Sequence, residues 1–375
     1  MKAASSSIRA SSFHDRASRM GRWRWVWVVA SGIISSVAIL AVLAKVPNNT
    51  LRNSSKDTWQ WFTQSNEGSS TPRLSSMGLP LNDVFFLDVK RGWAVGGRGA
   101  ILATIDGGAT WRMQNSDTRQ YLVSLYFADG SRGWAVGDGG TIMATLDGGV
   151  TWKPQSSGTQ RYLLSVYFAD SSRGWAVGTE GAIIATIDGG LTWKPQSSCT
   201  LQNLLSVDFV DGNRGWAVGW QGTILATLDG GTTWTPQNSG MDKVLVSVDF
   251  VDGSRGWAVG AGGAILATRD GGATWRAQRS DTYKNLLSVH FADGNRGWAG
   301  GAAGTMLTTV DGGAKWRLQD SGTLQDLRSV YFADGNRGWA VGVGGLIVAT
   351  RDAGAKWKPQ DCRCKKPRGL WEFVF

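Results

Sequence analysis

Glutamate is nearly missing from this chain of 375 residues: Glu67, Glu180 and Glu372 are the three, and Glu180 alone falls within residues 81–361. Histidine occurs at His14 and His290 only, and cysteine at Cys199, Cys362 and Cys364. Two separated histidines cannot furnish a metal site, and no Ser/His/Asp or Cys/His set stands in a supporting pattern. No catalytic residue, metal or cofactor is therefore expected. No cysteine precedes Cys199, which excludes a lipid-anchored N-terminus of the bacterial lipoprotein type. Cys362 and Cys364 are too close for an unstrained bridge, and Cys199 lies in a repeat far from the last one, so no stabilising disulfide is expected. A reactive or intermolecular thiol pair in the tail is the alternative. Stretches with helical periodicity long enough for a crossover helix are also missing between residues 81 and 361.

What the chain has is tryptophan at a fixed interval. Trp93, Trp134, Trp175, Trp216, Trp257, Trp298 and Trp339 recur every 41 residues, and Trp111, Trp152, Trp193, Trp234, Trp275, Trp316 and Trp357 follow eighteen residues behind. In the third copy, Leu164, Val166 and Phe168 alternate with Ser165 and Tyr167 as a first strand. Arg173–Gly178 reads as a second strand, Ala182–Thr186 as a third after the hairpin Thr179-Glu180-Gly181, and Thr192–Gln196 as a fourth after the turn Asp188-Gly189-Gly190. Four short antiparallel strands cannot cover both their faces alone, whereas seven copies set radially cover one another. The expected fold is all-β, a seven-bladed propeller of four-stranded blades over residues 81–361. Ring closure is expected from Trp61-Phe62-Thr63-Gln64-Ser65, which repeats the Trp-x-x-Gln-Ser pattern of Trp152–Ser156. The alternating tail Trp371–Phe375 is the other candidate.

The formal charge of +10 divides unevenly: residues 1–80 hold ten Lys/Arg against three acids, residues 81–361 hold 25 against 25, and residues 362–375 hold four against one. A neutral repeat region has no domain-wide field for a phosphate backbone, so nucleic acid is not expected as a partner. The basic excess flanks Trp25–Ala44, twenty residues without a charge, the length of a bilayer core. Arg9, Arg16, Arg19, Arg22 and Arg24 precede it and keep the N-terminus cytoplasmic by the positive-inside rule. The expected organisation is a basic cytoplasmic tail at 1–24, a transmembrane signal anchor at 25–44, a linker at 45–80, the propeller, and a basic, aromatic tail at 362–375. The propeller then lies on the exported side: periplasm, cell exterior or thylakoid lumen. The competing reading is a cleaved signal peptide ending at Val42-Leu43-Ala44.

Each repeat carries Thr-x-Asp-x-Gly-x-x-Trp, first as Thr104–Trp111 and last as Thr350–Trp357, which resembles the Asp-box of sialidase-type repeats. Seven equivalent carboxylates on seven blades cannot converge on one substrate. Asp106, Asp147, Asp188, Asp229, Asp270, Asp311 and Asp352 are therefore expected to be structural, accepting bonds from turn amides while glycine permits positive φ. The fuller unit, Asp-x-x-Arg-Gly-Trp-Ala-Val-Gly-x-x-Gly-x-Ile-x-x-Thr-x-Asp-Gly-Gly-x-Thr-Trp-x-x-Gln, resembles the photosystem II stability and assembly factor family of thylakoid-lumen propellers. The resemblance implies a non-catalytic chaperone for photosystem II subunits and an arginine binding patch. The matching positions are Arg91, Arg132, Arg173, Arg214, Arg255, Arg296 and Arg337. Each stands three residues after an aspartate, so turn-bridging pairs are the structural alternative. The near-identity of the blades and the N-terminal membrane segment depart from the family pattern.

Loops alternate between the two ends of a propeller, so the tips between second and third strands share a face with the connections between blades. This face varies most between repeats, and it carries Arg119, Tyr121, Arg161, Tyr162, Trp220, Lys243, Tyr283 and Lys284 as the candidate partner-binding set. Aromatics beside cations suit a protein segment or a glycan. A membrane-tethered protein scaffold is the first reading, a surface glycan binder the second. A sialidase-like hydrolase is last, because Glu180 would have to serve as the partner of Tyr121 or Tyr162 and nothing else in the repeats is read as breaking their sevenfold regularity.

Overall fold

The structure, a computed structural model, describes residues 78–360. Its strands run from Leu81 to Pro359 and form seven four-stranded antiparallel sheets, each built from four consecutive strands in meander order. In the first blade these are Leu81–Phe86, Gly92–Gly96, Ile101–Thr104 and Arg112–Gln114. The first strand of every blade touches the first strand of the next, and the seventh blade returns to the first. First strands therefore line the axis, and fourth strands form the rim.

Burial follows from this arrangement. The second strand, Gly-Trp-Ala-Val-Gly in six of the seven blades, is buried along its whole length because neighbouring blades cover both its faces. Its leading glycine is required by a close approach: a Cβ on Gly92 would lie 2.5 Å from the Phe86 ring. The fourth strand is shorter than its sequence pattern suggests, Lys194–Gln196 in the third blade, because Trp193 turns inward and is buried.

One aromatic arrangement recurs at every seam. Trp93 stacks on Phe127 of the next blade with centroids 3.7 Å apart, and Phe127 meets the edge of Trp152 in its own blade at 5.9 Å. The same stack closes the ring, Trp339 on Phe86 at 3.5 Å. Each first-series indole also donates to the box of the following blade, Trp93 Nε1 to Gly148 O at 3.1 Å and Trp339 Nε1 to Gly107 O at 3.1 Å. Five of the second-series indoles donate backwards, as Trp152 Nε1 does to Gln114 Oε1 at 3.1 Å. Such stacks add about 0.5–1.5 kcal/mol each beyond the area they bury.

The closing seam is modified. Blades two to seven carry a serine in the first strand whose hydroxyl accepts an amide of the following blade, as Ser124 Oγ does from Val166 N at 3.3 Å. The first blade has Asp83 there, which accepts Leu125 N at 2.9 Å on one side and the Ser329 hydroxyl at 2.7 Å on the other. The rim position of the seventh sheet is filled by Lys358–Pro359. That corrects the expectation that Trp61–Ser65 would fill it: the chain reaches the position itself, in register with Val348 and Ala349. The Gln360 side chain turns to Lys358 O, and the indole Nε1 atoms of Trp111 and Trp357 have no partner among the described residues.

Trp61–Ser65, the expected span at 25–44, the linker through residue 77 and the tail from residue 361 lie outside the described residues. Among the described residues no helix is long and apolar enough to cross a membrane.

Every sheet and the closing seam are built from residues 81–359, so removing residues 1–77 is expected to leave the thermal unfolding midpoint unchanged. A lowered midpoint for the shortened chain would show that the preceding residues complete the ring.

Candidate functional site

The box and the arginine turn occupy one end of the propeller. In the first box, Asp106 Oδ1 accepts the Thr104 hydroxyl and Thr110 N, both at 2.8 Å, and the Thr104 hydroxyl accepts Gly108 N at 2.9 Å. The six other boxes repeat the carboxylate bond to the backbone, with Lys315 and Lys356 in place of the threonine. Their carboxyls are held low; for Asp188 the Thr192 amide, then the Thr192 and Thr186 hydroxyls, bring it to about 2. Each of the seven carboxylates is thus bonded within its own box. The last box carries Ala353 at φ 59 where the others have glycine, a strained conformation for an L-residue.

Each of the seven arginines lies on the aspartate of its own turn, with Nε donating to Oδ2 at 2.7–3.1 Å: Arg91 to Asp88, Arg132 to Asp129, Arg173 to Asp170, Arg214 to Asp211, Arg255 to Asp252, Arg296 to Asp293 and Arg337 to Asp334. The guanidinium of Arg173 also lies over Gly212 in the next blade, and those of Arg214, Arg255 and Arg296 repeat this. The arginines thus form a half-exposed ring around the axial mouth, already engaged by seven carboxylates.

The opposite end carries the variable loops. Each tip is a three-residue 3-10 turn whose middle residue has positive φ, as Glu180 does at 55°. Tyr283 is 96% exposed and Trp220 40% exposed. Tyr121 and Tyr162 are half-buried, and their carbonyls accept the tip amides Asp138 N and Thr179 N at 3.0 Å. Arg119, Lys243 and Lys284 are exposed, and Lys284 Nζ reaches Ala303 O at 3.5 Å. Arg161 pairs with Glu180 at 3.2 Å beside a shallow cleft of about 410 Å³ that Cys199 and Leu201 also line. Glu180 is thus committed to an arginine rather than directed at a tyrosine. The eight candidates share an end but lie over several different blades.

The axis holds residues that the sequence reading passed over. The position before the first-strand phenylalanine is occupied in turn by Phe85, Tyr126, Tyr167, Asp208, Asp249, His290 and Tyr331. Tyr331, Phe85, Tyr126 and Tyr167 form a chain of rings with centroids 4.7–5.1 Å apart, and His290 stacks on Tyr331 at 4.6 Å. His290 Nδ1 stands 3.9 Å from Asp249 Oδ1, and its Nε2 lies 3.0 Å from Phe332 O. Burial, followed by repulsion from Asp249, pushes the Asp208 carboxyl well up, and burial raises Asp249 against the pull of His290. The regularity is therefore broken at the axis. The signal was available as one variable letter per repeat, and only aligning the seven copies shows it. Among the described residues no three His, Cys, Asp or Glu side chains are grouped to hold a metal ion.

The family model described as photosynthesis system II assembly factor YCF48 matches residues 73–153, 152–235, 199–279, 238–316 and 273–368. The chain belongs to this family. Two similar solved structures are YCF48 propellers. One, described as bound to D1 peptide, is 22% identical, with 76% of this chain and 96% of that chain covered and a TM-score of 0.63. The other, from Cyanidioschyzon merolae, is 23% identical, with 73% and 96% covered and a TM-score of 0.62. A xyloglucanase from Xanthomonas campestris is 14% identical, with 79% and 56% covered and a TM-score of 0.65. At these identities the structures establish the shared fold. No curated protein matches the chain.

The two sets of carboxylates in this YCF48-family propeller respond oppositely to acid. Asp83, Asp208 and Asp249 are raised, chiefly by burial, so the folded state takes up their protons first and gains stability as pH falls from neutral toward the ordinary carboxylate range near 4. The box and turn aspartates are held low, so below that range the unfolded chain protonates first and stability is lost. Stability is expected to peak at mildly acidic pH. Asp249→Asn keeps the acceptor for Phe291 N and offers an amide to His290 Nδ1, removing one of two adjacent charges. It is expected to raise stability at neutral pH by on the order of 1 kcal/mol, the scale of one pKa unit, and to flatten the acid-side rise. Chemical denaturation across pH measures both; a destabilised variant with an unchanged profile would contradict this reading of the axis.

Proposed function

We propose that the protein is a non-catalytic, membrane-tethered scaffold that captures an extended segment of a photosystem II subunit on its variable-loop face. The observation that carries this reading is the family match, whose overlapping segments run without a break from residue 73 to residue 368. One relative is described as bound to D1 peptide, so a D1-type segment is the first partner to test. The loop face supports capture because it combines exposed aromatics, Trp220 and Tyr283, with cations on neighbouring connections, on a frame whose other positions barely vary. The arginine ring supports it less, since each guanidinium is occupied by a carboxylate of its own turn. Two observations favour a non-catalytic role: the box carboxylates are saturated by their own loops, and Glu180 is paired with Arg161. The uncharged run at 25–44, preceded by five arginines, is the support for a tether and for an exported propeller. The glycan reading has no comparable support, because the xyloglucanase likeness is one of fold.

Replacing Trp220, Tyr162 and Tyr283 with alanine is expected to reduce capture of a synthetic D1 peptide at least about tenfold, the scale of losing one interface anchor. The unfolding midpoint should be unchanged. Charge reversal at Arg132, Arg173 and Arg214 should leave capture intact and cost about 0–1 kcal/mol of stability per pair. Salt-sensitive capture that survives the triple alanine variant and disappears on charge reversal would move the site to the arginine ring. No capture by the unmodified chain, from peptide or from photosystem II subunits, would end the scaffold reading.

A further inference from the structure

The box face carries a second pattern, set by register. In every blade the leading glycine of the second strand pairs with the threonine that opens the box, from Gly92 with Thr104 to Gly338 with Thr350. The residue after that threonine consequently stands at the same level in all seven blades. It is aliphatic in five, Ile105, Leu146, Ile187, Leu228 and Val310, and these are 63–75% exposed. In the other two it is Arg269 and Arg351, both exposed. Val150 and Leu191, two residues before Trp152 and Trp193, add exposed apolar surface in the second and third blades.

Single exposed leucines need no explanation. A coplanar set does, because the box closes through the threonine, the aspartate and the glycines, and the intervening side chain takes no part. Four consecutive blades thus present an apolar crescent at one height. The remaining three present Arg269, Lys315, Arg351 and Lys356 beside Val310.

We propose that the box face rests on a lipid surface, with the aliphatic crescent in the acyl boundary and the four cations against anionic headgroups. A plane is complementary to side chains of equal height, and the apolar and basic residues, each standing beside the aspartate of its own box, correspond to the two layers of a membrane interface. The choice of lipid as occupant rests on the reading of residues 25–44 as a membrane segment, which holds the propeller close to a bilayer. The chain enters the propeller at the loop face, where Pro80 O accepts Gly97 N. Residues 45–77 can extend to roughly 100 Å at about 3.3 Å per residue, several times the ~20 Å length of a six-residue strand. They therefore suffice to pass around the rim. In this orientation the variable loops point away from the bilayer and stay open to a partner.

The test uses the chain from residue 78 onward, which contains the strands of all seven described sheets, and co-sedimentation with vesicles of phosphatidylcholine alone or mixed with phosphatidylserine. Binding to the mixed vesicles that weakens with salt is expected. Combined I105S, L146S, I187S and L228S should lower the bound fraction at least tenfold, and R269E with R351E should abolish the preference for phosphatidylserine. The Trp220, Tyr162 and Tyr283 alanine variant should bind vesicles normally, which separates this surface from the capture site. With the anchor absent, failure here would leave the tether and the loop-face scaffold standing. No vesicle binding, or binding unchanged by the four serines, would overturn the proposal. So would a dimer that the four serines convert to monomer, since the crescent would then cover a second copy.

Discussion

The stack of a second-strand tryptophan on the first-strand phenylalanine of the next blade is the contact on which the rest of the molecule depends. A single repeat unit cannot bury its hydrophobic faces alone, and here each sheet is completed by a neighbour's indole from Trp93 on Phe127 round to Trp339 on Phe86. The indole has a second duty, because its Nε1 donates to the box of the following blade. One side chain thereby fixes both the packing distance between sheets and the position of the loop beyond them. Near-identity of the repeats follows, since a change of shape at one seam must be matched at two blades.

This coupling explains how much of the fold was legible in the sequence. Trp93 and Trp111 recur without insertion because the seams tolerate none, so blade number and strand order could be read from spacing. Asp106 and its six counterparts could be read as structural because the chemistry that satisfies them is local. Ring closure could not. Trp61–Ser65 matches a fourth strand by pattern, but occupancy of the rim is decided in three dimensions, and Lys358–Pro359 are already paired there. The axial ring was hidden for a different reason: Asp208, Asp249 and His290 stand at an alternating strand position where any polar residue looks ordinary. Only the closed ring turns that position inward. The exposed aliphatics at Ile105, Leu146, Ile187 and Leu228 were passed over likewise, as unremarked letters inside a recognised motif.

Charge is sorted by location rather than by amount. The repeat region holds 25 basic and 25 acidic residues over 81–361, yet two sets of its carboxylates are shifted in opposite directions. Those in boxes and turns accept amide and hydroxyl donors and lie low, while Asp83, Asp208 and Asp249 are buried near the axis and lie high. Half-exposed Arg–Asp pairs contribute little individually, but in all seven turns the guanidinium faces a carboxylate. A patch that looks strongly cationic in sequence is therefore muted in the folded protein.

What remains for function is the set of positions that escape the repeat, and these fall at opposite ends: apolar and basic residues on the box loops, aromatic and basic residues on the tips and connections. The central claim is that partner capture belongs to the second of these ends. Amide hydrogen exchange measured with and without a D1 peptide tests it most directly. The account predicts new protection at the Trp220–Gly222 tip and the connections around Lys243 and Tyr283, with the box loops and the turns at Arg132, Arg173 and Arg214 unchanged. Protection confined to those arginine turns would contradict it.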